Sequence, residues 1–254
     1  MHEYRLRQVA LVSSDLAKIT RQLKQAFDMN PAHHDPQVAD YGLINAVFPI
    51  GGSFLEVVQP VRSDASAERY LRRKGGDAGY MVIIQAGDAV FHRARLAELG
   101  VREIEVLETD LHFCTHFHPK DTADILMSID HAKVPDWKVE DSEWHPAGRD
   151  WRRHQTPEVV GLRSLTIGHS DPDGGVARWA ALLDLPASSR TIKLMQGRID
   201  FVPADSPAVA AIEVEVRDVE DTLARAVAAG LPVSDGGVLV GGLSIVPAPS
   251  VIGA

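Results

Sequence analysis

Short runs of β-branched and other apolar residues recur along the chain. Each is closed by an aspartate and followed by a longer stretch with apolar residues at helical spacing. The four copies are "QVALVSSDLAKITRQLKQAF" from Gln8, "MVIIQAGDAVFHRARLAELG" from Met81, "SLTIGHSDPDGGVARWAALL" from Ser164 and "AIEVEVRDVEDTLARAVAAG" from Ala211. Asp15, Asp88, Asp171 and Asp218 each fall seven residues after the start of their copy. An aspartate there can accept hydrogen bonds from the free N–H groups of a first helical turn, so a helix is predicted to begin at each. In the first, Leu16, Ile19, Leu23 and Phe27 stand at i, i+3, i+7 and i+11, one apolar stripe for burial. Strands with short turns follow each helix, over 41–60, 111–130, 191–203 and 236–249. The turns "PIGG" and "HPKD" separate runs rich in β-branched and aromatic residues, which is hairpin patterning. The predicted unit is βαβββ, present four times, with the third and fourth copies trimmed.

Residues 134–159, "VPDWKVEDSEWHPAGRDWRRHQTPEV", have no period and hold three tryptophans and three prolines. A featureless linker would be poor in tryptophan, so this segment is read as an ordered strap packed on a domain rather than a lid. The predicted division is a first domain over 1–133, the strap over 134–159, and a second, shorter domain over 160–254.

Composition narrows the classes. A net charge of -9 with both signs interleaved, and no basic stripe, argues against nucleic acid as a partner. "RYLRRKGG" is the densest basic patch and reads as a solvated helix end. The single cysteine, Cys114, rules out an intrachain disulfide and a thiolate cluster. No run approaches the roughly 18 apolar residues of a membrane span, and the N-terminal stretch lacks a signal-peptide pattern. A cytoplasmic protein with no membrane partner is expected.

The four βαβββ units resemble the vicinal oxygen chelate superfamily, also called the glyoxalase/bleomycin-resistance/dioxygenase fold. "FHPKDTADILMSID" looks like the final hairpin of methylmalonyl-CoA epimerases. "YGLINAVFPIGGSFLEVVQPV" with "RYLRRKGGDAGYMVI" looks like a tandem glyoxalase-like group. The resemblance implies an α+β fold, with two pairs of units forming cupped mixed sheets and helices outside. It also implies metal ligands at four matching strand positions, here Gln8, Glu56, Met81 and Ser128 in the first pair. Ser164, Asp200, Ala211 and Ser244 match in the second. A thioether and a neutral hydroxyl are poor ligands for the divalent ions such cups hold. No cofactor is therefore expected. If the first cup holds a divalent metal at all, Gln8 and Glu56 are its ligands.

"LHFCTHFHPKDT" sets His112, His116 and His118 at even spacing on a predicted strand. Alternate strand residues recur about every 6.6–7 Å, too far apart for all three to share one ion. His112 and His116 are expected to line a cavity or polar face with local hydrogen-bond partners. His118 and Lys120 begin the turn shared with the resembling epimerases, where they would bind an anion at a cup rim or simply shape the hairpin.

Glu56 is the candidate catalytic residue. Alternation from Phe54 turns it toward an apolar cup, where its charged form is disfavoured and its pKa rises toward the range of a general base. Gln8, Asn45 and Tyr80 are expected to offer neutral donors to a substrate oxygen, with Met81 and Phe48 as apolar walls. His116, His118, Lys120 and Ser128 complete the predicted substrate site. One reading is an enzyme acting on a small carbonyl, acyl or thioester compound, a lyase or isomerase with Glu56 as base. The alternative is a non-catalytic binder that sequesters a small molecule. The second pair is expected to pack against the first, and exposed sheet edges leave a homodimer open.

Overall fold

The computed structural model describes residues 3–250. The first unit comprises β1 (Tyr4–Val12), α1 (Leu16–Phe27), β2 (Leu43–Ile50) and β3 (Ser53–Pro60). Helix α2 (Ser66–Lys74) leads into the second: β4 (Ala78–Ala86), α3 (Ala89–Glu98), β5 (Glu103–Glu108), β6 (His112–Phe117) and β7 (Leu126–Ala132). The third is β8 (Val159–His169), α4 (Pro172–Leu183), β9 (Ala187–Ser188), β10 (Thr191–Lys193) and β11 (Arg198–Pro203). The fourth is β12 (Ala208–Val216), α5 (Val219–Ala228), β13 (Val233–Ser234), β14 (Gly237–Val240) and β15 (Leu243–Pro249). Three units are complete βαβββ motifs. The first differs, because its leading hairpin strand is reduced to a single bridge between His33 and Val47.

The four aspartates cap their helices as the sequence predicts. Asp15 accepts from the Lys18 N–H at 2.8 Å, Asp88 from Phe91 at 2.8 Å, Asp171 from Gly174 at 3.0 Å and Asp218 from Asp221 at 3.0 Å. The basic patch is the last turn of α2, where Arg72, Arg73 and Lys74 precede Gly75 in a left-handed conformation. Positive side chains at a helix C-terminus are favoured by the partial negative charge there.

In the first pair the strands run β2-β3-β1-β4-β7-β6-β5, and in the second β9-β10-β11-β8-β12-β15-β14-β13. β1 and β4 are antiparallel, as are β8 and β12, and each of these four also pairs in parallel with the last strand of its own unit. One irregularity repeats four times. The ladder slips at Arg7, Tyr80, Arg163 and Ala210, each one place before Gln8, Met81, Ser164 or Ala211. Such a bulge sends two consecutive side chains to one face and bends the strand, which curls each sheet into a cup.

The convex faces carry the helices and one continuous core. Leu11, Leu23, Phe27, Val57, Ile84 and Trp179 are all buried in it, so it joins both pairs. The cups meet where Val209 of β12 pairs with Gly79 of β4. A side chain at Gly79 would have its Cβ 2.1 Å from the Val209 carbonyl oxygen, so only glycine permits this approach. The second pair thus packs on the first. Among the described residues no helix is long and apolar enough to cross a membrane.

The strap fills the far end of the first cup's concave face. Trp144 and Trp151 are buried there with Phe54, Val47 and Ile83. Trp144 stacks on Phe54 with ring centroids 6.5 Å apart, and Trp151 meets the same ring edge-on at 5.0 Å. Arg5 and Arg7, both buried, gather strap carbonyls. Arg5 donates to Trp137 and Val139, each at 2.7 Å, and Arg7 to Ser142 at 2.6 Å. The two guanidiniums thereby tie the strap backbone to β1.

Candidate functional site

With one end plugged by tryptophan, the rest of the first cup is a cavity of about 440 Å³. Its walls come from both arms: Glu56 and Val58 on β3, Ala10 on β1, Met81 on β4, Leu126 on β7 and His116 on β6. The bulge at Tyr80 turns that phenol into the cavity beside Met81. Arg62, Asp64 and the start of α2 form part of the rim.

Glu56 is buried at 9 % exposure. Asn45 Nδ2 donates to its Oε1 at 2.6 Å and Gln8 Nε2 to its Oε2 at 2.8 Å. Both amides are aimed by other contacts. Trp144 Nε1 donates to Gln8 Oε1 at 2.8 Å, and the Asp35 N–H to Asn45 Oδ1 at 2.8 Å. Burial pushes the Glu56 carboxyl above the ordinary carboxylate range; the Asn45 and Gln8 hydrogen bonds oppose that rise without cancelling it. Across the cavity, burial lowers the His116 imidazole from its usual value, against the pull of Asp130 and Glu105. Burial also raises the Tyr80 phenol.

The structure brings Gln8, Asn45, Glu56, Tyr80, Met81 and His116 together at or beside this cavity. It separates four others. Phe48, expected as a cavity wall, lies on the opposite face of β2 in the helix-side core, because alternation gives the cup to Asn45 and Val47. His118 and Lys120 are not at the cavity. His118 has left β6, lies 3.3 Å from the Arg102 guanidinium and caps the Lys120 N–H, while Lys120 pairs with Asp124 at 3.3 Å. Ser128 is on the concave face but fully buried below the cavity, donating to the Thr115 carbonyl at 3.1 Å and to Asp130.

The four positions implied for the superfamily's chelated ion do not fit one here. Gln8 commits its oxygen to Trp144 and turns its N–H toward Glu56, so the two nominal ligands bind each other. Met81 presents a thioether and Ser128 a hydroxyl that is already donating. In the second cup Asp200 is tied to Arg198 at 2.9 Å and Thr191 at 2.6 Å, beside Arg163 and Glu213, which pair at 3.1 Å. These ion pairs occupy the floor.

Sequence reasoning missed Asp130. It is buried on the same face as Ser128, two residues on, with its Oδ2 2.8 Å from His112 Nε2. Alternation along β7 was the available signal, and the pairing of Asp130 with Cys114 in the β6–β7 hairpin gives it a setting. Burial pushes the Cys114 thiol up to about 12.

The glyoxalase-like domain family matches residues 9–183, more than half of the chain, and the protein belongs to that family. Among solved structures, a triple mutant of 4-hydroxymandelate synthase from Streptomyces coelicolor shares the fold over 91 % of this chain and 76 % of its own, at 16 % identity and a TM-score of 0.68. A methylmalonyl-CoA epimerase variant from the same organism, in complex with 2-nitronate-propionyl-CoA, covers 52 % of this chain and 99 % of its own at 18 % identity, with a TM-score of 0.47. The epimerase of Mycobacterium tuberculosis covers 53 % and 92 % at 17 % identity, also with a TM-score of 0.47. No curated protein matches the chain. The fold is therefore that of the vicinal oxygen chelate superfamily, as the four repeats imply.

Proposed function

We propose that the first cup is the active site of an enzyme that removes a proton α to a carbonyl or thioester, with Glu56 as the general base. The observation that carries this reading is the Glu56 carboxylate, buried at the cavity wall and held in place by two amides. Desolvation strengthens it as a base, and fixed orientation lowers the cost of aligning it with a substrate C–H. The cavity volume lies within the usual small-molecule range of about 300–1,000 Å³, so a short acyl or keto group fits inside.

Tyr80 is positioned to donate to the oxygen that gains charge as the proton leaves, a role that a metal would otherwise fill. His116 faces the same space from the other arm of the cup. A second proton carrier there supports isomerisation or elimination, in which Glu56 takes the α-proton and a proton is delivered to a different atom, another carbon in isomerisation or the departing oxygen in elimination. We place the substrate among small acyl, thioester or α-hydroxy carbonyl compounds.

Replacing Glu56 by glutamine keeps the shape and removes the base. Across a panel of acyl-CoA thioesters and α-hydroxy carbonyls, Glu56→Gln is expected to lower turnover roughly 10²–10⁴-fold while ligand affinity changes little. If no member of the panel is turned over by the parent, and ligands bind parent and variant equally, the cup is a binding site without chemistry.

A further inference from the structure

Beneath the cavity, on the concave face of the β6–β7 hairpin, His112, Cys114 and Asp130 are each buried, with 4 %, 6 % and 3 % exposure. One ligand atom from each lies within 4.8 Å of the others. We propose that these three residues bind a single divalent transition-metal ion, zinc by their donor set, at a place distinct from the superfamily's chelate positions.

The hairpin register creates the cluster. Cys114 pairs directly with Asp130, and His112 is the next residue of β6 on the same face. In a tetrahedral zinc site the ligand atoms stand about 3.3–3.8 Å apart. The cluster is already near that size, and the ion would open the His112–Asp130 contact, now 2.8 Å, by under an ångström. Imidazole, thiolate and carboxylate together suit zinc and its neighbours, whereas calcium and magnesium require all-oxygen shells. The charges also match, since a thiolate and a carboxylate balance a divalent cation and leave the buried site neutral. Binding displaces the thiol proton to solvent, and the proton His112 holds at Nε2 against Asp130 shifts to Nδ1, which frees Nε2 for the ion.

An independent observation points to a missing partner. Gln85 is completely buried and stands beside Asp130 in the β4–β7 register, on the same face. Neither its Oε1 nor its Nε2 has a hydrogen-bond partner. Unpaired buried polar atoms are uncommon and call for an explanation. The Gln85 carbonyl is in place to complete a fourth coordination position. Ser128 already holds the other Asp130 oxygen, and the Trp144 ring packs edge-on against His112 at 4.9 Å, so the surroundings orient the ligands and exclude water. Such a closed site would staple β6 to β7 rather than activate a substrate.

The full-length protein, stripped with a chelator and reloaded with zinc or cobalt(II), tests the proposal. Expected are one tightly held zinc per chain and a cobalt form with thiolate-to-metal charge-transfer absorbance in the near ultraviolet. Cys114→Ser should abolish that band, and both Cys114→Ser and Asp130→Asn should weaken zinc binding at least tenfold. Glu56→Gln should bind zinc as the parent does, which separates this site from the chemistry at the cavity. No retained zinc, an undiminished affinity in Cys114→Ser, or loss of binding in Glu56→Gln overturns the proposal. If Cys114→Ser fails to fold, the parent's cobalt spectrum decides, and absence of the thiolate band overturns it.

Discussion

Glu56 shows what a single residue's surroundings do to its chemistry. Its folded-state carboxyl titrates above the ordinary value because burial penalises the charge more than two amide donors reward it. The folded protein therefore holds this proton to higher pH than the unfolded chain does. As pH rises between the two values, the unfolded state ionises first and gains, so stability falls across that window. Glu56→Gln has no such dependence. The melting temperature of the variant minus that of the parent is expected to grow as pH climbs from the ordinary carboxylate range to the raised value, then level off; thermal unfolding across a pH series reads this directly. A flat difference would mean that the carboxyl is not perturbed. Turnover should rise through the same raised value, since only the ionised form is a base. The inward aim of Glu56 was legible in the alternation of "SFLEVVQP". Its hydrogen bonds were not, because they need Gln8 from β1 and Asn45 from β2, brought together only by sheet pairing.

At the scale of elements, the strap and the bulges decide how much of the cup remains open. Trp144 fills the floor, stacks on Phe54 and fixes Gln8, which in turn holds Glu56. Trp144→Ala is expected to destabilise the protein by about 3–5 kcal/mol, the usual cost of truncating a buried aromatic. It should also lower turnover by releasing Gln8. Trp137→Ala, at a half-buried ring lying over Gly87, should cost less. Denaturant titrations of the two variants give the comparison, and equal losses would show that the strap is not anchored through Trp144. The tryptophan content of 134–159 signalled packing, but nothing in its aperiodic sequence named the face it covers. The repeated bulges were likewise invisible to periodicity, although they fall one place before the four positions that the repeat itself marks.

For the molecule as a whole, the two cups share one helix-side core and touch edge to edge at Gly79 and Val209. Trp179 on α4 donates to the Thr122 carbonyl at 2.9 Å, and Lys74 to the Pro207 carbonyl, so each pair of units is bound to the other at several places. Gly79→Val drives a branched side chain into the Val209 carbonyl and is expected to cost about 1–3 kcal/mol. Unfolding should then separate into two transitions as the second pair loosens before the first. Calorimetry checks this, and a single unshifted transition would show that the junction contributes nothing to cooperativity.

The sequence by itself determined the four units, their helix starts and the inward carboxyl, because capping and alternation are local and recur with the repeat. The tertiary structure alone decided which polar groups meet. Phe48 went to the core and the "HPKD" turn to the surface, and Asp130 joined His112 and Cys114. The trimmed second cup was filled with its own ion pairs. Those outcomes depend on bulges, register and a strap crossing from elsewhere in the chain, and such long-range contacts leave no periodic mark on the residues that make them.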